Sequence, residues 1–356
     1  MNYTATNNLD PSLYQYKTRI GVVCVWIVAS IIGLVGNSLV IWSVILSKKL
    51  RTVTNAFVVN LSVADFWTSL SYPWISVALL SHGSWPMELE VPCVIAAIQL
   101  YTGLGASLYT LASIALNRMV LITQTTNTYS CWYTPRKVAV MIATTWVIPC
   151  VVTFLPLLLG IGSIGYDPQD NTICSDKDGH PRGPEYNLAQ SVGLYPVPML
   201  IVICCYTALY IHLKRHFRKQ KKRNSMQGKP SVCGDVEASS CLTCDDYRNN
   251  TSHVVAKTRL AISHQQLAIT KNLFLVFCVF TVLLSPYFIS LAVPSSRKFA
   301  LYGVTIAILN SCVNPIIYTI NHPQFKVVLR KIILCRYSDI PEPSNFLKSV
   351  LTLQRN

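Results

Sequence analysis

The run Ile20-Gly-Val-Val-Cys-Val-Trp-Ile-Val-Ala-Ser-Ile-Ile-Gly-Leu-Val-Gly-Asn-Ser-Leu-Val-Ile-Trp-Ser-Val-Ile-Leu46 carries no charged side chain. As a helix rising about 1.5 Å per residue it is longer than a bilayer's hydrocarbon core of about 30 Å requires. Its apolar stretch is too long for a cleavable leader and no small-residue cleavage site with polar sequence follows, so it is expected to stay as an anchor. Six further apolar runs with few charges lie C-terminal to it, at about 55–80, 93–122, 138–161, 188–213, 268–293 and 299–320. The predicted fold class is therefore an all-α membrane protein, a seven-transmembrane helix bundle. Composition agrees: 51% of residues are hydrophobic and 13% charged, about half the charge of an ordinary soluble domain, and the mean hydropathy is +0.39. A soluble globule and an intrinsically disordered chain are both excluded on that ground.

The net charge of +15 would by itself raise nucleic-acid binding, but its placement argues otherwise. Lys48, Lys49 and Arg51 follow span one, Arg136 and Lys137 follow span three, and Lys214, Arg215, Arg218, Lys219, Lys221, Lys222 and Arg223 follow span five. The alternate connections carry Glu88, Glu90, Asp167, Asp170, Asp176, Asp178 and Glu185 against Lys177 and Arg182, with Arg297 and Lys298 as the exception. The positive-inside rule then places the N-terminus outside and the C-terminus in the cytoplasm, and no nucleic-acid partner is expected. Residues 1–19 read as an extracellular N-terminus, 20–320 as the membrane domain with a third cytoplasmic loop at about 214–266, 321–335 as a membrane-surface helix, and 336–356 as a cytoplasmic tail. The sequon at Asn2 is on the glycosylated side; those at Asn249 and Asn250 are not. Of 13 cysteines, Cys93 and Cys174 share the oxidising side. They are read either as a disulfide that tethers the second outer loop over the bundle or as two free thiols.

Asp65 falls in the middle of span two, where an unpaired carboxylate costs at least about 3 kcal/mol. Its candidate partners are Asn37, Ser107, Asn310, Ser311 and Asn314. One carboxylate among neutral oxygens suits either a sodium ion or ordered water. Beyond sodium, no metal or cofactor is expected.

Several short motifs together identify a family. Gly36-Asn37, Leu61-Ser-Val-Ala-Asp65, Asn117-Arg118-Met119, Trp146 with Pro156, Pro198 with Tyr206, Pro286, and Asn314-Pro315-Ile-Ile-Tyr318 fall one per span and in order. Over about residues 20 to 335 the chain resembles the rhodopsin-like G-protein-coupled receptors, multi-pass proteins of the plasma membrane. The resemblance implies coupling to a heterotrimeric G protein, with arrestin and a receptor kinase as further partners, and assigns activation roles to Asn117, Arg118, Tyr206, Phe280, Pro286, Asn314, Pro315 and Tyr318. Arg118 usually pairs with a preceding acid; here that residue is Asn117, and an amide holds a guanidinium more weakly than a carboxylate does. Pro286 removes a backbone hydrogen bond and is expected to make span six a pivot. The tryptophan usual two residues before it is Leu284, which leaves Phe280 to carry the coupling. Tyr206 and Tyr318 are expected either to meet near Arg118 when the helices rearrange or to act as interface tyrosines.

The ligand pocket implied by the family lies between the outer halves of spans three, five, six and seven, with Leu100, Tyr101, Leu104, Tyr195, Tyr287, Phe288 and Tyr302 as its candidate lining and Gly103 and Gly105 opening space along span three. Leu100 occupies the position of the amine receptors' carboxylate, and Ile308 that of the opsins' lysine, so neither an amine nor retinal is expected. An apolar, aromatic lining suits a neutral amphipathic or lipid-like extracellular molecule. Arg182 is read either as an anchor for a carboxylate head group, which would make this a medium-chain fatty-acid receptor, or as the partner of Glu185.

After Tyr318, residues 322–335 place Phe325, Val328, Leu329, Ile332 and Ile333 on one face of an amphipathic helix, with Cys335 at its end as a palmitoylation candidate. Cys233, Cys241, Cys244 and His253 in the third inner loop make only a weak metal signal.

Leu50-Arg-Thr, the ending Ala115-Leu-Asn-Arg118, and Asn310 to Tyr318 with Gln324-Phe325 are most similar to a branch holding melatonin receptors, insect moody and trapped-in-endoderm receptors, and a vertebrate medium-chain fatty-acid receptor. An inhibitory-class G protein is the expectation carried from that branch. A seven-span transporter is the remote alternative; it would show internal repeats and charged residues along a path. An enzyme is excluded because no nucleophile, base and metal set converges.

Overall fold

The computed structural model describes residues 15–81, 84–166, 173–177, 180–227, 270–293 and 299–353; for 219–227, 321 and 323 the backbone alone is described. Asn2, Arg297, Lys298, the sequons at 249 and 250, and the cysteine and histidine cluster of the third inner loop lie outside the described residues.

Span one is α1 (Tyr16–Leu46). Span two is divided into α2 (Val53–Ser69) and α3 (Tyr72–Leu80), which meet at Leu70 and Ser71. Pro73, in the first turn of α3, has no N–H to return to the turn before it, so the helix breaks there. Span three is α4 (Val91–Thr123), followed by the short α5 (Thr126–Trp132). Span four is α6 (Pro135–Leu158), and a β-hairpin of β1 (Ile164–Tyr166) and β2 (Cys174–Asp176) follows it. Span five is α7 (Gly183–Leu194) and α8 (Pro196–Gln227), interrupted at Tyr195 before Pro196. Span six is α9 (Thr270–Ala292). Span seven is α10 (Ala300–Ile308) and α11 (Asn310–Asn321), and α12 (Pro323–Ile333) and α13 (Asn345–Leu353) close the described chain. Among the described residues six helices are long and apolar enough to cross a membrane, and the broken span two supplies the seventh crossing.

The bundle presents apolar side chains outward and keeps its polar side chains inside, set within a hydrophobic core. Val28, Ile31 and Val35 of α1, Val140 and Val147 of α6, and Val282 and Ile289 of α9 are exposed, whereas Asn37, Asp65, Ser107, Asn310 and Asn314 are buried. An apolar outer surface with inward polar groups is what a hydrocarbon solvent selects. Span three is the central column, buried on nearly every side, and small residues let its neighbours approach. A Cβ on Gly103 would lie 2.0 Å from Thr68 Oγ1, and one on Gly105 would lie 2.7 Å from Pro149. These glycines therefore seat spans two, four and five against span three rather than opening room for a ligand.

Three details add to or differ from the sequence reading. The first helix begins at Tyr16, four residues before the run read as span one. Arg19, fully buried, donates from Nε to Leu79 O (2.5 Å) and from Nη2 to Ser81 O (2.6 Å), capping carbonyls at the end of α3. Ile333 is 58% exposed and does not join Phe325, Val328, Leu329 and Ile332, which are buried; position 333 turns past the face that meets the bundle. The tail at 336–356 is not a plain extension: Lys48 N–H donates to Glu342 O, Ser344 N–H to Leu46 O (both 2.8 Å), and α13 lays Leu347 beside α1 and α12.

Candidate functional site

At the hairpin end, Cys93 and Cys174 form a disulfide that pins β2 to the start of span three. Glu90 secures the other strand: its carboxylate accepts from Tyr166 N–H and pairs with Lys177 (2.8 Å). Beneath the hairpin lies a cavity floored by Ile75, Leu100 and Val304, walled by Tyr287 and Ser290, and roofed by Asp176 and Asn187. Of the sequence candidates, Leu100 and Tyr287 line it directly. Tyr101 stands behind them and donates its hydroxyl to Asp176 Oδ1 (2.9 Å).

The remaining pocket candidates are placed elsewhere. Leu104 is buried within the bundle. Tyr195 and Phe288 stack on each other at 4.9 Å, and the Tyr195 hydroxyl bonds Ser285 Oγ (2.5 Å), which ties span five to span six. Tyr302 is 47% exposed, because its position on α10 faces away from the bundle. Arg182 does not reach the cavity: it is exposed and its Nη2 lies 2.6 Å from Glu185 Oε2. Asp176 and Asn187 escaped the sequence reading, although a disulfide at Cys174 draws whatever follows it over the cavity.

In the middle of the bundle Asp65 is buried, with Ser107 Oγ donating to Oδ1 (2.8 Å) and Asn314 Nδ2 to Oδ2 (2.5 Å). Asn37 Nδ2 donates to Gly33 O and Ser311 O (2.9 Å each), while Ser311 Oγ meets the Tyr72 hydroxyl (2.8 Å). Asn37 Oδ1, both amide atoms of Asn310, and Asn314 Oδ1 are buried without a hydrogen-bond partner among the described groups. Orphaned carbonyl oxygens close to a carboxylate are a ligand set that a small hard cation or ordered water completes.

At the opposite end Arg118 is buried at the end of span three. Asn117 does not serve chiefly as a weak clasp for that arginine. Its Oδ1 accepts from Thr54 (2.7 Å) and its Nδ2 donates to the Tyr129 hydroxyl (3.1 Å), joining spans two and three to α5. Tyr206 packs on Phe274 and Phe277 of span six, and Tyr318 stacks on Phe325 of α12 (5.7 Å). The two tyrosines are thus held by different elements. Phe280 is fully buried in span six, and Pro286 lies where Gly303 of span seven comes close, with 3.3 Å from a Cβ there to Pro286 O. Pro315 is inside α11, next to Asn314. His322, just past span seven, caps α12 by accepting from Phe325 N–H (3.4 Å), and burial pushes its pKa down to about 4. Cys335 is exposed beyond α12.

The sequence profile of the family described as 7 transmembrane receptor (rhodopsin family) matches residues 36–318. The chain belongs to that receptor family. The receptor is 26% identical over 340 residues to the G-protein coupled receptor moody of Drosophila melanogaster, covering 86% of this chain and 50% of that one. It is 28% identical over 313 residues to the mouse melatonin receptor type 1B (86% and 76% covered). It is 26% identical over 365 residues to the 5-hydroxytryptamine receptor 1B of Vulpes vulpes (93% and 92% covered). The chain spans about half the length of the moody receptors it matches. Squid rhodopsin shares the fold, with a TM-score of 0.70 at 17% identity over 94% of this chain and 91% of that one. The receptor is a multi-pass protein of the plasma membrane, and its family consists of receptors rather than enzymes.

Proposed function

We propose that the receptor converts an extracellular small-molecule signal into nucleotide exchange on a heterotrimeric G protein of the inhibitory class, with the hairpin end outside and the Arg118 end in the cytoplasm. The observation that carries this reading is a small cavity under a tethered hairpin at one end, a guanidinium at the other, and the unsatisfied polar column of Asp65, Asn310 and Asn314 between them. A sodium ion at that column, held by Asp65, Ser107 and Asn314 with the oxygens of Asn37, Asn310 and Ser311, would fasten spans one, two, three and seven together in the resting state. Arrestin and a receptor kinase are partners on the same cytoplasmic face. The exposed apolar side chains of Val327, Ile333 and Leu334 on and just past α12, with Lys326, Arg330 and Lys331 beside them, support attachment at the inner leaflet, while Phe325, Val328, Leu329 and Ile332 pack α12 against the bundle.

The ligand is a compact amphipathic molecule rather than a carboxylic acid. Among the described residues the cavity lining contains Asp176 and no Lys, Arg or His, and Arg182 is paired with Glu185 at the surface. The names of the melatonin and 5-hydroxytryptamine receptors among the relatives point the same way. The test is G-protein dissociation in cells expressing the receptor or its Arg118→Ala variant, first without ligand and then with melatonin and with medium-chain fatty acids. Signal lost in the variant supports coupling through Arg118; signal equal in both refutes it. Activation by the acids and not by melatonin refutes the ligand reading.

A further inference from the structure

Asp176 is a buried carboxylate with no cationic partner among the described residues. It is 8% exposed, and its two oxygens accept from neutral groups only, Tyr101 Oη at 2.9 Å and Asn187 Nδ2 at 2.6 Å. The two described cations nearest in sequence are occupied, Lys177 by Glu90 (2.8 Å) and Arg182 by Glu185 (2.6 Å). An ionised carboxylate offers about four acceptor positions, so two remain after these bonds. Asp176 lines the cavity, and among the described residues every other lining side chain is neutral, Leu100, Tyr287, Ser290 and Val304 among them. Burying one charge without its opposite is costly, and the cost is recovered when a partner of opposite sign arrives with its own hydrogen bonds.

We infer that Asp176 is the counter-group for a cationic ligand, so that the cavity binds a protonated amine whose charge meets the hairpin roof and whose apolar body lies on Leu100 and Ile75. The inference rests on the cavity of the proposed receptor reading but concerns binding alone, and it sharpens the ligand from amphipathic to basic. It also reverses the expectation drawn from Leu100. The absence of a carboxylate on span three does not exclude amines when β2 supplies one from above.

The experiment uses the full-length receptor in detergent and thermal unfolding as the binding readout. Phenethylamine, tryptamine and 4-phenylbutylamine are titrated into the millimolar range. Each is paired with its neutral N-acetyl derivative, and tryptamine also with indole-3-propionate. Asp176→Asn keeps the shape and the acceptor for Tyr101, and Asn187 Oδ1, now without a partner, can turn to receive the new amide. Its unliganded melting temperature is expected to match the parent's or exceed it. Expected is stabilisation by at least one amine, weaker or none by its N-acetyl derivative, none by the propionate, and an amine affinity at least tenfold weaker in Asp176→Asn. No stabilisation by any amine, equal binding of an amine and its N-acetyl derivative, or unchanged amine affinity in Asp176→Asn would overturn the inference. G-protein dissociation is read in parallel. Amine binding without an effect on the G protein would refute the signalling reading and leave the binding site standing.

Discussion

Gly103→Ala places one methyl group where the structure has no room for it. The added Cβ would lie 2.0 Å from Thr68 Oγ1, 3.1 Å from Thr68 Cβ and 3.3 Å from the Ala64 carbonyl oxygen. Thr68 is fully buried and its hydroxyl donates to Ala64 O (2.8 Å), so turning it aside breaks that bond inside the bundle. Overpacking of this kind costs about 1–3 kcal/mol, and loss of the hydroxyl's bond about 1 kcal/mol more. The better helix propensity of alanine returns about 1 kcal/mol. The net expectation is destabilisation by about 1–3 kcal/mol, which lowers the melting temperature by about 1–2 °C per kcal/mol for a chain of this size. A thiol-reactive dye that reports exposure of the buried Cys205 and Cys312 on heating measures it in detergent. The double variant Gly103→Ala/Thr68→Ala removes the clashing hydroxyl and should recover at least half of the loss, a coupling that a double-mutant cycle isolates. A melting temperature unchanged in Gly103→Ala, with weakened ligand binding instead, would refute the packing argument and restore Gly103 as pocket space.

Asn117→Asp keeps an acceptor for Thr54 and gives Tyr129 one as well, while setting a carboxylate beside Arg118. Ligand-independent G-protein dissociation should fall with little change in stability, and a rise would contradict the arrangement. His322 has a folded pKa lowered from 6.5 to about 4 by burial and by the Arg118 charge. Its neutral form is therefore the one the fold favours: the contribution is present above about pH 6.5 and lost as pH falls toward 4, about 2 kcal/mol by pH 5. His322→Asn, which still caps α12, should flatten the pH dependence of the melting temperature between 7 and 5, and an unchanged slope would exclude His322 as its source. Leu347→Ala truncates the anchor of α13, a buried leucine between α1 and α12. A loss of about 2 kcal/mol should raise amide exchange in 345–353 roughly thirtyfold relative to the spans, and equal protection would show that α13 is held by its backbone bonds alone.

The spans were legible because each is a long apolar run with few charges, and the family was legible because its motifs are local in sequence. Asp65 was legible as a problem needing partners, and two of those named, Ser107 and Asn314, bond it directly. Arg19 was not legible as part of a helix. A charge at the end of an apolar run reads as a boundary until the carbonyls of Leu79 and Ser81 are seen to receive it. The cavity was least legible, since its lining mixes loop and helix residues far apart in the chain. Arg182 and Asp176 are both charges of one outer loop, with nothing local to say which turns inward.

The sequence by itself determined that seven segments enter a bilayer and which polar residues must face one another inside it, because hydrocarbon tolerates few alternatives to helices with inward polar groups. Only the tertiary structure decided what those groups touch. The disulfide at Cys174 and the clasp of Glu90 fix the hairpin so that Asp176 roofs the cavity while Arg182 is left to Glu185. Side-chain direction in a loop is set by such long-range ties, and no periodicity along the chain encodes it.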